Sequence, residues 1–329
     1  MIILSAEDVR KALPMPQAIK AVKGAFAALS AGQVEVPIRT QLPVPPHNAI
    51  SLFMPAFVED EGGQALTVKV VSVFPHNPER GLPLIYAAVL VLEPDSGRPL
   101  ALLEGGALTA IRTGAASGAA SDILAREDSQ VLAIFGAGTQ GATQIEAVCA
   151  VRPIQTVWVF DPDTQKALSL IGRAANQLAA SINIHQAQSP AQAVKDADII
   201  CTATTSTTAV FDDADLKPGA HINGVGSYTE EMQEIPVETV KRALLVVDER
   251  AAALAEAGDI IQPLEQGEID PNHIHAELGE IILDRKSGRT DAGRITFFKS
   301  VGNAVQDAAS ARLALKNAKV MGLGQNISW

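Results

Sequence analysis

The feature that most limits what this chain can fold into is a glycine pattern near its middle, Gly136-Ala-Gly138-Thr-Gln-Gly141. An apolar run, Val131–Phe135, precedes it, amphipathic sequence follows it, and a second apolar run ends at Asp161, 20 residues after the last glycine. A strand, a glycine turn, a helix and a second strand with a terminal acid together make the dinucleotide-binding fingerprint. The first glycine permits the tight turn, the second lets the backbone approach the pyrophosphate, and the third lets helix and strand pack closely.

The position after the second strand predicts which dinucleotide is bound. Asp161 can accept hydrogen bonds from the adenosine ribose hydroxyls, and its charge would repel a 2′-phosphate. Pro162 and Asp163 follow it, so no cation stands directly after it to bind that phosphate. The sequence therefore favours NAD(H), with NADP(H) as the alternative. Two later segments rich in small residues, Thr202–Ser206 and Gly224–Tyr228, are predicted to close over the cofactor at the carboxyl ends of their strands.

The alternation of short apolar runs with amphipathic stretches from residue 130 onward predicts the fold class. Strands that alternate with helices in this way build βαβ units on a parallel sheet. The earlier sequence differs, because one long helix over Val9–Ala31 is followed by closely spaced strands at Ile50–Met54, Ala65–Phe74, Leu84–Leu92 and Pro99–Glu104. A chain of 329 residues also exceeds the ~250–300 at which a single core stops growing. We predict an α/β protein with a Rossmann-type doubly wound parallel sheet and a second, α+β domain.

Charge and hydropathy argue against several classes of function. Lys and Arg number 26 against 37 Asp and Glu, a net charge of −11, which disfavours binding to nucleic acid or to an anionic membrane. The longest wholly apolar run, Leu84–Leu92, is far shorter than the ~20 residues that span a bilayer. The first charges come after a short apolar stretch, whereas in a signal peptide positive charges precede a longer one. The two cysteines are too few for a disulfide framework. We expect a cytoplasmic protein with no nucleic-acid or membrane partner.

Three cations stand in apolar surroundings in the first half of this acidic chain: Arg39, Lys69 and Arg112. A charge inside an otherwise buried strand, as at Lys69, is costly unless it is paired or faces a ligand. Each cation alone could reach the surface or pair with a carboxylate there. Three together fit a pocket for a carboxylate substrate, in which arginine offers two parallel hydrogen bonds and lysine a point charge or a proton.

These residues, taken with others, resemble the ornithine cyclodeaminase/mu-crystallin family over nearly the whole chain. The resemblance rests on Pro37–Arg39, the strand with Lys69, Leu108–Ser117, Gly136–Gly141, His221–Gly226 and Lys299–Asp307. It implies a substrate-binding and dimerisation domain over residues 1–122 and a Rossmann dinucleotide-binding domain over residues 123–303. It further implies that residues 304–329 form a C-terminal helix that returns to the first domain, and that the protein is a homodimer.

The resemblance also implies roles for individual residues. Lys69 is the expected catalytic residue, and it either supplies a proton or only anchors the carboxylate. The expected substrate-binding residues are Arg39, Lys69, Arg112 and Val301. The expected cofactor-binding residues are Arg112, Gly136, Gly138, Thr139, Gln140, Gly141, Asp161, Thr202, Val225, Gly226 and Ser300.

Two departures from the family pattern distinguish among its reactions. Cyclodeaminases of the family carry an acid where this chain has Tyr228 and another where it has Leu52. Since both acids are absent, the resemblance favours the branch that reduces cyclic imino acids, Δ1-pyrroline-2-carboxylate to L-proline or Δ1-piperideine-2-carboxylate to L-pipecolate. The alternatives are ornithine cyclodeamination, alanine dehydrogenase-like deamination and, in a different class, a nicotinamide-dependent binding protein similar to mu-crystallin.

Other polar residues fit structural roles better than chemical ones. His273 and His275 lack a third ligand nearby in the sequence, so no metal site is predicted. His221 begins an apolar run and is interpreted as a structural histidine. The three glutamates of Glu230–Glu234 are interpreted as a solvated face.

Overall fold

The computed structural model describes residues 1–328, which form two compact units. The first consists of Met1–Arg112 and the segment that begins at Ala304, and the second is Thr113–Asn303. The helices are α1 (Ala6–Ala12), α2 (Met15–Ala31), α3 (Gly105–Leu124), α4 (Thr139–Cys149), α5 (Thr164–Gln177), α6 (Pro190–Val194), α7 (Val237–Arg242), α8 (Arg250–Glu256), α9 (Gly258–Glu265), α10 (Leu278–Ile282) and α11 (Ala304–Met321). The strands are β1 (Ile2–Leu4), β2 (Val34–Glu35), β3 (Thr40–Val44), β4 (Ala49–Asp60), β5 (Gly63–Val73), β6 (Ile85–Leu92), β7 (Pro99–Glu104), β8 (Val131–Phe135), β9 (Thr156–Phe160), β10 (Asn183–Gln186), β11 (Ile199–Thr202), β12 (His221–Gly224), β13 (Leu244–Val247), β14 (Ile274–Glu277), β15 (Thr296–Lys299) and β16 (Gln325–Asn326).

The first unit is built on a mixed sheet in the order β16-β1-β7-β6-β5-β4-β2, with β3 also paired to β4. The long neighbours β4, β5 and β6 are antiparallel, while β1 and β7 are parallel. Met54, Ala56 and Val58 alternate along β4 and pack in one core with Ala28 of α2 and Val305 of α11. The last long helix is therefore part of the first unit, although the whole second unit separates it from β4 in sequence.

The second unit contains a sheet in the order β10-β9-β8-β11-β12-β15-β13-β14, and every neighbouring pair is parallel. The strands β11, β12, β13 and β15 are buried along their whole length, as expected for a parallel sheet that helices cover on both faces. The order from β10 to β15 is that of a doubly wound sheet, whose two halves meet between β8 and β11. The predicted fold class, a Rossmann-type sheet with a second α+β domain, is confirmed.

The predicted single helix over Val9–Ala31 is wrong, because α1 ends at Ala12 and α2 begins only at Met15. Leu13 has left the helical conformation, with φ −125° and ψ 66°. Pro14 follows it, and a proline disfavours helical backbone in the residue before it. Helical spacing of apolar residues continues across this break, so periodicity alone does not reveal it. Within residues 1–328, no helix has the length and apolar character to cross a membrane.

Candidate active site

An ion-pair cluster in the first unit holds two of the predicted cations. Lys69 lies in β5 and Arg112 in α3, and both contact the carboxylate of Asp307 in α11. Lys69 Nζ lies 2.5 Å from Asp307 Oδ2, and Arg112 Nε donates to Asp307 Oδ1 over 3.0 Å. Arg112 Nη1 also donates to Gln306 Oε1 over 3.0 Å. The three charged side chains are at most 8 % exposed, so one buried carboxylate serves two buried cations.

Burial is the main cause that lowers the pKa of Lys69, to about 8. Asp307 opposes this change because its charge favours the ammonium form, while the positive charges of Arg112 and Arg39 add to it. The charge of Arg39, the third predicted cation, therefore also acts on Lys69. A lysine with such a pKa can anchor an anion when protonated and can also give up its proton close to neutral pH.

The nearest neighbours of Lys69 on its face of the sheet are apolar apart from Thr67. Lys69 is opposite Met54 in the β4–β5 register, and two residues further along the strands Leu52 is opposite Val71. Residues two apart on a strand share a face, as do directly opposed residues of antiparallel neighbours. Leu52 and Val71 pack on the core of this unit. An aliphatic side chain therefore stands beside the lysine at the position where the cyclodeaminase pattern has an acid.

The glycine turn of the second unit connects β8 to α4 with the backbone that the fingerprint requires. Gly136 has φ +95°, and a Cβ there would lie 2.5 Å from the carbonyl oxygen of Ala203. A Cβ at Gly141 would lie 2.3 Å from the carbonyl oxygen of Gly136, so glycine allows α4 to pack closely on the turn. At Gly138 a Cβ would meet no atom of the described residues within 4 Å. The start of α4 at Thr139 is thus open to an anion, which helix N-termini favour.

Asp161, directly after β9, is fixed beside this turn. Its Oδ2 accepts the N–H of Ala137 over 2.8 Å, and its Oδ1 accepts the N–H of Asp163 over 2.9 Å. Each carboxylate oxygen can accept more than one hydrogen bond, so both stay able to bind sugar hydroxyls. The predicted ribose-binding acid is therefore held in place by two backbone donors.

The other predicted cofactor residues lie at the carboxyl ends of central strands. Thr202 ends β11, and its buried Oγ1, like the Oε1 of Gln140 in α4, has no hydrogen-bond partner within residues 1–328. Ser300 follows β15 and donates to Asp248 Oδ2 over 2.7 Å. Two further predicted residues in these segments are partly buried, Val225 and Val301. Buried polar atoms normally have partners, so the orphaned oxygens fit a site that binds a polar ligand.

The sequence interpretation misses the acids that hold these residues. Asp307 belongs to a segment that carries the family resemblance, yet no pattern assigns it a role. The signal that could have identified it is the set of buried cations, which require a nearby anion. Glu234 is fully buried, so its interpretation as part of a solvated face is wrong, while Glu230 and Glu231 are exposed.

The histidines have structural surroundings. His221 is buried, and its ring nitrogens lie within hydrogen-bond distance of Thr296 and Asn223. Burial lowers the pKa of His221 to about 3, which keeps the ring neutral at physiological pH. His273 and His275 each place a ring nitrogen within hydrogen-bond distance of a different backbone carbonyl.

Comparison with known proteins identifies relatives that match end to end. The model of the ornithine cyclodeaminase/mu-crystallin family matches residues 1–321. A Δ1-pyrroline-2-carboxylate reductase of Bacillus cereus is 38% identical over 330 residues, which cover 100% of both chains. The structure of the Thermococcus litoralis Δ1-pyrroline-2-carboxylate reductase with NADH and L-proline has a TM-score of 0.94 and 42% identity, covering 99% of this chain and 100% of that one. An archaeal alanine dehydrogenase dimer with bound NAD has a TM-score of 0.91 and 32% identity, covering 100% and 99%. The chain is therefore a member of the ornithine cyclodeaminase/mu-crystallin family.

Proposed function

We propose that this enzyme reduces Δ1-pyrroline-2-carboxylate to L-proline with NADH as the hydride donor. The observation that carries the proposal is the buried cluster in which Lys69 and Arg112 share the carboxylate of Asp307, next to the apolar Leu52. Two cations against one carboxylate leave a positive charge that a substrate carboxylate can balance. Similarity to reductases of this substrate, one of them solved with NADH and L-proline, supports the same assignment.

The side chains of the cluster have separate tasks in this reaction. Arg112 offers a planar pair of donors to the substrate carboxylate, and the half-buried Arg39 adds positive charge nearby. Leu52 and Val71 supply an apolar surface for the ring methylenes. Lys69 holds a proton at Nζ that can pass to a neutral imine nitrogen, while an iminium substrate already carries its proton. The reduced nicotinamide supplies the hydride, so imine, NADH and one proton yield amine and NAD⁺.

The cofactor is proposed to be NAD(H) and to occupy the second unit. Asp161 stands where the adenosine ribose is bound in this fold, with Asp163 rather than a cation two residues later. A 2′-phosphate would meet negative charge there. Gly138, Gln140 and Thr202 provide the open backbone and the orphaned buried oxygens that fit the rest of the dinucleotide.

The experiment that tests the proposal follows NADH absorbance with Δ1-pyrroline-2-carboxylate as substrate. We expect turnover, the six-membered homologue as a second substrate, and a kcat/KM with NADH at least as high as with NADPH. Parallel assays use pyruvate with ammonia and NADH, and ornithine with NAD⁺, because an alanine dehydrogenase is among the similar structures. Faster reaction in either parallel assay would contradict the proposal, and a strong preference for NADPH would contradict the choice of cofactor.

We propose a homodimer assembled through the first unit. This unit exposes apolar side chains on and near β3 and at the start of β6, including Ile38 (93 %), Leu42 (53 %) and Tyr86 (51 %). Large exposed apolar patches mark protein contacts, and we infer that these side chains belong to one. Light scattering is expected to give twice the mass of one chain, and Leu42→Asp with Tyr86→Asp is expected to halve it. Leu168→Asp, an exposed position on α5 of the other unit, is the control, and a monomeric wild type would refute the proposal.

A further inference from the structure

Glu234 joins two loops that leave neighbouring strands of the second unit. Its side chain is fully buried. Its Oε1 accepts the N–H of Thr204, after β11, over 2.6 Å. Its Oε2 accepts the N–H of Gly226 over 2.7 Å and that of Ser227 over 3.1 Å, both after β12. One carboxylate thus accepts hydrogen bonds from three backbone donors that belong to two loops.

A buried ion pair holds Glu234 in turn. Asp259 Oδ1 accepts the N–H groups of Glu234 and Ile235 over 2.7 and 3.0 Å. Asp259 Oδ2 lies 2.8 Å from the Nζ of Lys299, the last residue of β15. Both partners of that ion pair are fully buried. Burial raises the pKa of Glu234, while the charge of Lys299 opposes this change by favouring the carboxylate. The network therefore links the carboxyl ends of three adjacent strands.

The close packing around Gly226 shows how tightly the two loops meet. A Cβ on Gly226 would lie 2.2 Å from the carbonyl oxygen of Thr204 and 2.5 Å from Glu234 Oε1. No side chain fits there without moving one loop away from the other. The close approach of Thr204 and Glu234 therefore explains why residue 226 is a glycine. This explanation does not require that a cofactor also approach Gly226.

The position of these loops in the sheet indicates which half of a bound dinucleotide they would contact. In a doubly wound sheet each half binds one nucleotide of a dinucleotide. Strands β8 to β10 carry the glycine turn and Asp161, which suit the adenosine half. Strands β11, β12 and β15 belong to the other half, and Thr202, at the end of β11, has one of the two orphaned buried oxygens described above.

We propose that Glu234 is a positioning residue that fixes the loops after β11 and β12 in the conformation that receives the nicotinamide half of the cofactor. The inference rests on the proposed cofactor but not on the proposed substrate. Glu234 itself need not touch the cofactor, since its three hydrogen bonds are to backbone donors of the loops. Replacing Glu234 should therefore weaken the binding of the nicotinamide half of the cofactor and leave the binding of the adenosine half unchanged.

The test compares Glu234→Gln with Glu231→Gln, the same change at an exposed position three residues earlier. A glutamine has an acceptor at only one end of its amide, so its NH₂ group must face the backbone donors of one loop. We expect Glu234→Gln to weaken NADH binding by about tenfold or more in a fluorescence titration, while the affinity for ADP stays within about twofold. Amide hydrogen exchange at Thr204, Gly226 and Ser227 should accelerate in the protein without ligand. The control should match the wild type in each measurement.

Several outcomes would overturn the inference. Unchanged NADH affinity in Glu234→Gln would do so, as would an equal loss of NADH and ADP affinity, which would indicate general damage to the unit. The titrations contain no imine, so a wild type that binds NADH but reduces no imine would contradict the proposed reaction and leave this comparison decisive.

Discussion

Arg112→Ala is expected to raise the KM for Δ1-pyrroline-2-carboxylate by about a hundredfold, since a charge-assisted pair of hydrogen bonds is lost from a buried site. The variant leaves Lys69 and Asp307 as a balanced ion pair, so the cluster loses its excess positive charge and only Arg39 remains to attract the substrate carboxylate. Gln306 also loses the guanidinium to which its Oε1 is bonded. Initial rates of NADH oxidation at several substrate concentrations, together with a thermal melt of each variant, measure the effect.

Two further arginine variants give this experiment its controls. Arg98→Ala removes an arginine of the same unit whose side chain is 67% exposed and bonded to Glu93, and it should leave both kinetic constants unchanged. Arg112→Lys keeps the charge but not the planar pair of donors, and its KM should lie between those of the wild type and Arg112→Ala. A KM for Arg112→Ala within about threefold of the wild type would contradict the assignment of this arginine to the substrate.

The kcat/KM for imine reduction is expected to fall above about pH 8, where Lys69 loses its proton. Below this pH the ammonium form is present and can both attract the carboxylate and donate a proton. Above it the neutral amine does neither, so the rate constant should decrease by about tenfold per pH unit. The profile is measured with NADH at saturation and the imine well below its KM.

The Lys69→Arg variant tests whether the decrease near pH 8 is due to titration of this lysine or of another group. A guanidinium stays protonated across this range, so the decrease that begins near pH 8 should disappear, although the overall rate will be lower. Any decrease of kcat/KM with pH that persists in this variant is due to titration of the substrate or of another residue. If the variant and the wild type gave the same profile, Lys69 would not be the group that controls it.

The sequence predicts well those parts of the structure that depend on local backbone requirements. The glycine turn at Gly136–Gly141 and the acid at Asp161 have fixed spacing because a dinucleotide and a βαβ unit impose it, and both lie as predicted. The central strands of the second sheet, β11, β12, β13 and β15, are recognisable since each is a short buried segment. The break at Pro14 is missed because apolar spacing continues through it, although the proline itself is a sign that a helix ends.

The sequence does not reveal which acidic residues are buried. Asp307 and Glu234 look like ordinary surface residues in their own segments, and only distant partners give them a role. Asp307 meets Lys69 from a position far along the chain, and Glu234 meets the loop at Thr204. Such contacts depend on tertiary structure, which periodicity does not report. The signal available in the sequence is a cation in an apolar segment, because a buried cation requires a buried anion near it.

The position of α11 in the first unit has a consequence for how the protein is made. Synthesis proceeds from the N-terminus, and domains generally fold as units when their sequence is complete. Thr113–Asn303 is complete before α11 has been translated, whereas the first unit, begun earlier, still lacks the helix that closes its core. Until residue 307 emerges, Lys69 and Arg112 have no Asp307 to bind. We therefore expect the second unit to have its complete sequence before the cluster of Lys69, Arg112 and Asp307 can form.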